Sequence, residues 1–524
     1  MSQKESYWLN KTLPKILREN VAKAPDAPAV MWGDQVMGWG ELDLLSDQLA
    51  AGLAKLGIGR GDVVSCQLGN VPEFLILHHA VAKCRAVFNP IHLPYRSSEL
   101  EHILGFSESA VLVVGPSIKD FSYLELGLQI KHNLECLHHL VSIGEETAAE
   151  VIPFESLKHE SAPPVSAADP EDPFLMLFTS GTTASPKATV HTHNMRLTNS
   201  WFCGGDFALR EEDHMLCCSA LSHMWAVLNY YSSVLYGCPQ ILLERYRPQD
   251  FLATAAAGQA TVVIGAPVHA IDLLASPNLD PRALSSIRLF ALSGTVCPPQ
   301  LMRQLTATLP NCTPMVFWGM TETGGGFYTR LEDPPEIVEN TAGRASGPCI
   351  IGVLDEAGKQ LAPGQEGELA IKSPFGISSY LKNPEATAES YTADGWFRTG
   401  DLGRMAADGN IQILGRRKEE INRGGTKFLP QAVEEVLLTH PGVHMVAMVG
   451  MPDERLGERS VCFMVSVPGE PPPQLEELCA LLEKDGMAKF KWPERLEIVE
   501  GLPVTPTGKV QRGVLKEWAA KLGA

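Results

Sequence analysis

Ten consecutive residues, Phe178-Thr179-Ser180-Gly181-Thr182-Thr183-Ala184-Ser185-Pro186-Lys187, pack hydroxyls, a glycine and a lysine directly behind an apolar run. Such a loop suits a polyphosphate. Backbone N–H groups and hydroxyls donate to the oxygens, Gly181 permits close backbone approach, and Lys187 supplies a cation for the outer phosphates. The residue order is not the Gly-x-x-x-x-Gly-Lys-Ser/Thr of the P-loop, so that fold is not implied. A Ser/Thr/Gly-rich stretch alone is usually a surface loop. Its company sets this one apart. Downstream stand Trp318-Gly319-Met320-Thr321-Glu322, Thr399-Gly400-Asp401, Gly415-Arg416-Arg417-Lys418 and Thr505-Pro506-Thr507-Gly508-Lys509. Taken singly these read equally as a core tryptophan beside a helix-capping Thr-Glu pair, a Gly-Asp turn, a charged string and a solvated lysine.

In this order and spacing, the five motifs resemble those of the adenylate-forming enzymes: acyl-CoA synthetases, aryl-CoA ligases, firefly luciferases and the adenylation domains of peptide synthetases. The resemblance spans essentially the whole chain. The run Gly61-Asp62-Val63-Val64-Ser65-Cys66-Gln67-Leu68 is similar to bacterial cyclohexanecarboxylate and aryl acid CoA ligases. At Ala184 and Ala188 the family usually carries glycine, and a positive φ there would strain an alanine.

The resemblance implies an acid–thiol ligase. It would convert ATP and a carboxylate to acyl-AMP and pyrophosphate, with Mg2+, and then pass the acyl group to coenzyme A, releasing AMP. For ATP and AMP it implies Thr179, Ser180, Gly181, Thr182, Thr183, Lys187, Ser293, Gly294, Thr295, Trp318, Gly319, Asp401 and Arg416. The chemistry of these types fits: an indole face matches a purine, and an ionised Asp accepts from both ribose hydroxyls. Thr321 is implied to contact the α-phosphate and Glu322 to hold Mg2+, a hard cation suited to carboxylate and phosphate oxygens. Lys509 is implied as the main catalytic residue, bridging the substrate carboxylate and the α-phosphate. A cation fixed between two approaching anions offsets their repulsion, and such donors are worth about 10²–10³ in rate. Lys418 is implied as the hinge of a rotating small domain, and Gly424 and Gly425 as lining for the pantetheine channel.

His223, a gate residue with a catalytic part, is implied with Trp225, Gly324 and Gly325 to shape the acyl pocket. Ser222-His223-Met224-Trp225 lacks the Phe-Asp pair that peptide-synthetase domains use for an α-amino group, which disfavours an amino acid. Apolar Met224, Leu228, Phe290 and Phe327 suit an alicyclic, aromatic or short to medium-chain acid. The alternative is a stand-alone adenylating enzyme that loads a carrier protein.

These residues need a scaffold of more than one core, and 524 residues, 45% of them hydrophobic, supply it. A net charge of -18 opposes a nucleic-acid or anionic-lipid surface, while leaving room for a local phosphate pocket. Met1–Asn10 has no signal-peptide pattern and no apolar run approaches about 18 residues, so a cytoplasmic protein without stable membrane insertion is expected, with a homodimer among its expected assemblies. Twelve scattered cysteines without Cys-x-x-Cys read as buried thiols. The pairs His78/His79, His138/His139 and His191/His193 lack the neighbours of a metal site.

Leu42, Leu45, Leu49, Leu53 and Leu56 repeat at helical spacing before Gly57, and β-rich runs at 111–114, 262–264, 287–292 and 445–449 alternate with helical stretches. The expected fold is α/β: a large N-terminal domain of helix-covered sheets, residues 1–417, with a β-rich subdomain over about 337–414. A small mobile α+β C-terminal domain, residues 418–524, carries Lys509. The prolines at 468 and 471–473 read as an exposed loop.

Overall fold

The structure is a computed structural model, and it describes residues 7–144, 148–158, 168–179, 187–505 and 509–522. The chain is α/β, as its alternating β-rich and helical stretches predict. It divides into two compact units. The first comprises Met1–Glu339, Gly343–Cys349 and Lys372–Glu389; the second comprises Asn340–Ala342, Ile350–Ile371 and Ser390–Ala524.

The first unit holds two sheets. One is nine-stranded, with the parallel strands Met215–Cys217, Val262–Gly265, Leu289–Leu292 and Thr313–Met320 near its middle. The other is seven-stranded and ends in the antiparallel hairpin of Pro173–Thr179 and Lys187–Thr192. Short runs such as Val262-Val263-Ile264 are apolar throughout because parallel strands are covered on both faces. The helices Pro72–Lys83 and Met224–Tyr236 are buried around almost their whole circumference, and one core cluster joins them to strands of both sheets. A helix apolar on every side is stable only inside such a core.

The leucine repeat forms the helix Trp39–Lys55, and Gly57 just beyond it takes φ +86°, the left-handed conformation that ends a helix. Within that helix Gly52 has a different purpose: a Cβ there would overlap the carbonyl of Leu157.

The pairs His78/His79 and His191/His193 are core residues, whereas His138 is exposed and His139 half-buried. His78 Nε2 lies 2.7 Å from the Tyr231 hydroxyl, and His79 Nε2 lies 2.6 Å from that of Tyr230. His191 Nε2 bonds Thr189 Oγ1 at 3.0 Å, and His193 Nδ1 accepts from the Leu13 N–H at 3.3 Å. No group of three metal-ligating side chains occurs among the described residues, and no helix among them is long and apolar enough to cross a membrane. The cysteines are free thiols.

The second unit contains a four-stranded sheet, Ile350–Leu354, Glu366–Lys372, Phe397–Met405 and Ile411–Arg416, whose last three strands pair antiparallel. It also contains a five-stranded sheet around the long pair Val443–Asp453 and Gly457–Ser466. Alternation along Val443–Asp453 puts Val446 and Met448 in one core and Ala447 and Val449 in another, so helices cover both faces. The Pro-rich stretch is exposed from Pro468 to Pro472, while Pro473 is buried just before the helix Leu475–Lys484.

Helix propensity alone would reward Gly52→Ala by about 1 kcal/mol. The overlap with Leu157 decides otherwise, and the substitution is expected to destabilise by about 1–3 kcal/mol, read as a lower urea midpoint at unchanged slope. Burial, with the charge of His193, lowers the pKa of His78 to about 3, and burial lowers that of His193 to about 3. These imidazoles stay neutral in the fold, whereas an unfolded histidine titrates near 6.5. As pH falls below about 6.5 the unfolded chain therefore binds protons that the fold refuses, and stability drops down to about pH 3. Urea unfolding at pH 7 and pH 5 checks this; equal stability at both would contradict it.

Candidate functional site

In parallel α/β sheets ligands sit outside the carboxyl ends of the strands. Several residues singled out by the sequence lie at that edge of the nine-stranded sheet. Ser293, Gly294 and Thr295 follow Leu289–Leu292, with the Ser293 N–H donating to the Gly265 carbonyl at 3.0 Å and Gly294 at φ +102°. Trp318 and Gly319 end Thr313–Met320, where the strand pairs antiparallel with Gly324–Tyr328. Phe317 is buried, but Trp318 is only half-buried and lies 5.4 Å from the Phe327 ring. Trp318 is therefore not a core tryptophan.

Thr321 and Glu322 occupy the turn of this hairpin. Glu322 is 8% exposed, and its Oε1 accepts a 2.8 Å hydrogen bond from the Tyr380 hydroxyl. The Lys187 ammonium stands 4.9 Å from the centre of the same tyrosine ring. Lys187 and Thr179 face each other across the mouth of the antiparallel hairpin, and the Thr179 hydroxyl donates to the Lys187 carbonyl at 3.4 Å. Ser180, Gly181, Thr182 and Thr183, together with Ala184, lie outside the described residues. Ala188 sits in the ladder opposite Phe178 and is absent from the residues with positive φ, so the strain anticipated for it does not arise. The structure thus brings Lys187 and Glu322 to one tyrosine. Tyr380 escaped the sequence reading because nothing local links it to a carboxylate 58 residues away.

His223 is half-buried at the start of Met224–Tyr236 and caps it, Nδ1 accepting from the Trp225 N–H at 3.3 Å. His92, also missed in the sequence, stacks 6.3 Å from it and bonds the neighbouring Ser222 hydroxyl at 2.7 Å. Burial lowers the His92 pKa to about 4, so this ring is neutral at physiological pH. Trp225 is fixed in the wall: its Nε1 donates to the Gly265 carbonyl at 3.1 Å and its ring lies 4.1 Å from Phe317. Phe290 and Leu228 are core residues. Gly324, at φ +75°, abuts the Arg196 guanidinium, and a Cβ on Gly325 would enter the Phe317 ring. Asn199 clamps the strand, accepting from the Gly325 N–H at 3.0 Å and donating to its carbonyl.

In the second unit Asp401 and Arg416 are direct ladder partners on neighbouring strands, and the Arg416 Nε lies 2.9 Å from Asp401 Oδ1. The Asp401 carboxylate is 7% exposed. The preceding Thr399 hydroxyl donates to the Leu369 carbonyl at 2.6 Å and accepts from the Asp401 N–H at 3.1 Å, which fixes that carboxylate's backbone.

Lys418 lies in the single turn Arg417–Glu419 that follows. Partial desolvation, then the charge of Arg416, lowers its pKa, with Glu419 and Asp401 opposing and Lys509 adding to the fall. The residue is nonetheless exposed, so solvent tempers this effect. Lys509 is half-buried, and its carbonyl accepts from the Thr505 N–H at 2.7 Å. Gly424 and Gly425, at φ +61° and +87°, form the two-residue connection of the hairpin Ile421–Arg423 to Thr426–Phe428. Two consecutive positive φ values define the turn that matches strand twist, and glycine adopts them without strain.

Residues 17–381 match the family described as AMP-binding enzyme, and residues 432–509 match the AMP-binding enzyme C-terminal domain. The chain is 34% identical over 522 residues to 2,3-dihydroxybenzoate-AMP ligase of Bacillus subtilis (strain 168), covering 98% of this chain and 95% of that one. It is 30% identical over 520 residues to the medium-chain fatty-acid–CoA ligase of Escherichia coli (strain K12), covering 98% and 92%. Among solved structures, the anthranilate CoA ligase AuaEII in complex with anthranoyl-AMP superposes with a TM-score of 0.90 over 98% of each chain at 24% identity, a likeness of fold. By these matches the chain belongs to the AMP-binding enzymes, the adenylate-forming ligases.

Proposed function

We propose that this protein is an AMP-forming carboxylic acid CoA ligase of the cytoplasm, acting on an acid with an apolar alicyclic, aromatic or short to medium-chain body. The observation that carries the reading is the convergence of Lys187 and Glu322 on Tyr380 at the mouth of the phosphate hairpin. A buried carboxylate and an ammonium that share one tyrosine, with no ion pair between them among the described residues, suit a metal-bound triphosphate.

Adenine lies against Trp318, and Asp401 accepts from the ribose hydroxyls while Arg416 holds that carboxylate in place. Lys187 steadies the outer phosphates. Glu322, with Oε1 committed to Tyr380, offers its other oxygen to Mg2+, and a single carboxylate plus phosphate oxygens is a donor set this cation accepts. When bound, Mg2+ neutralises charge on the departing pyrophosphate.

Lys509 brings the substrate carboxylate against the α-phosphate. A carboxylate oxygen attacks phosphorus, the bond to the β-phosphate bridging oxygen breaks, and pyrophosphate leaves. Rotation about Lys418 then withdraws Lys509 and brings Gly424-Gly425 to the pantetheine arm. The CoA sulfur attacks the acyl carbonyl, its proton is lost, and AMP departs. His223 closes the acyl side. A carrier-protein thiol is the second reading, favoured by the relationship to an enzyme named as an AMP ligase.

Lys509→Ala is expected to lower acid-dependent ATP–pyrophosphate exchange by at least about 100-fold. Thioester formation from preformed acyl adenylate should persist, and equal loss of both would contradict the assignment. Asp401→Ala should raise the KM for ATP by about tenfold or more while leaving acid KM within about twofold. The acceptor is decided by AMP release with free CoA: exchange without a CoA-dependent product would move the assignment to the carrier protein.

A further inference from the structure

Three cationic side chains are buried among the described residues: Lys83, Arg196 and Arg330. Lys83 is fully enclosed and held by carboxylates, with Nζ at 2.6 Å from Asp43 and 2.7 Å from Asp47. Arg330 faces Asp206 at 3.7 Å. Arg196 is equally enclosed and meets no carboxylate among the described residues. Its Nη2 donates to the Phe375 carbonyl, its Nη1 reaches only the thioether of Met224 at 3.7 Å, and its Nε has no hydrogen-bond partner.

The groups that interact electrostatically with Arg196 supply no countercharge. Burial pushes Tyr231 well above its ordinary range, Cys349 to about 11 and Cys203 to about 12, so all three are neutral at physiological pH. Burial lowers Arg196 itself only to about 10, so it remains charged. An unpaired buried charge costs several kcal/mol, and a guanidinium with spare donors is suited to bind a carboxylate through two hydrogen bonds.

The position gives that charge a purpose. Arg196 belongs to the helix His193–Asp206, and its guanidinium presses on Gly324, where a Cβ would lie 2.6 Å from Nη1. Gly324 is two residues beyond Glu322, and Met224 follows His223. The unpaired cation therefore stands behind the wall assigned to the acyl group. Met224, unbranched and flexible, is the side chain that can yield to an entering ligand.

We propose that Arg196 determines specificity by pairing with a second anionic group on the acid, so that the preferred substrates are dicarboxylates whose far carboxylate lies beyond an apolar spacer. The proposal rests on the adenylation reading for the location of the reacting carboxylate, and it adds a charged terminus to the apolar body inferred above. A neutral hydroxyl at that terminus would leave the guanidinium charge uncompensated.

The test uses pyrophosphate exchange by the full-length protein over acids matched in length. Glutarate is set against hexanoate, and benzenedicarboxylates against methylbenzoates and hydroxybenzoates. In at least one series the diacid should exceed its uncharged partners by about thirtyfold or more in kcat/KM. Arg196→Met should abolish that preference while retaining turnover of the monoacid, and Arg196→Lys should keep part of it. Because Arg196→Met can fail to fold, the wild-type preference is decisive alone: equal or better turnover of monoacids or hydroxy acids in every series overturns the proposal. A second readout separates the two claims. If no acid supports exchange, yet diacids raise the thermal midpoint of the wild type without ATP and not that of Arg196→Met, the anion site stands and adenylation falls. Absence of both effects overturns the anion site.

Discussion

The hydrogen bond from Tyr380 to Glu322 is the constraint on which the first unit's candidate site depends. A carboxylate 8% exposed is costly unless its orientation is fixed and its charge compensated. Tyr380 fixes the orientation by occupying one oxygen, and the nearby Lys187 ammonium supplies positive potential without forming a closed ion pair. The surrounding fold holds that geometry. The turn bearing Glu322 is pinned by the Ile377 N–H on the Glu322 carbonyl at 2.8 Å, and the strand beyond it by Asn199. Glycines at 324 and 325 let Arg196 and Phe317 pack directly against backbone.

The second unit solves a matching problem in a different way. Asp401 and Arg416 sit opposite each other in an antiparallel ladder, so the sheet's register sets their contact without any help from a loop. Arg512 pairs with Glu434 and Glu419 and donates to the Met448 carbonyl at 2.8 Å, which ties the C-terminal helix to the helix Gln431–Leu437, the turn Arg417–Glu419 and the strand Val443–Asp453. Against the downward pull of burial, those carboxylates raise the arginine's pKa.

Much of this was legible in the sequence, for physical reasons. The leucine period of Leu42–Leu56 could only be an amphipathic helix, and all-apolar runs such as Val262-Val263-Ile264 read as strands because both faces of a parallel sheet are covered. Motif residues carried their own chemistry: an indole, a Thr-Glu turn and a Gly-Asp pair are recognisable by type. What stayed hidden was set by long-range packing. Tyr380 and His92 gain meaning only from partners 58 and 130 residues away. Arg196 looks like any surface arginine in a helix until the fold buries it. The division into compact units was likewise invisible, because residues 350–371 join a sheet with strands after residue 396.

The central claim is that the acid is activated through its own oxygen as a mixed anhydride with AMP. The most direct measurement is the fate of that oxygen. When a carboxylic acid labelled with oxygen-18 in both carboxyl oxygens is turned over with ATP and acceptor, AMP should carry one labelled oxygen, with the other retained in the acyl product. Label in inorganic phosphate or pyrophosphate, or unlabelled AMP accompanying product, would contradict the account.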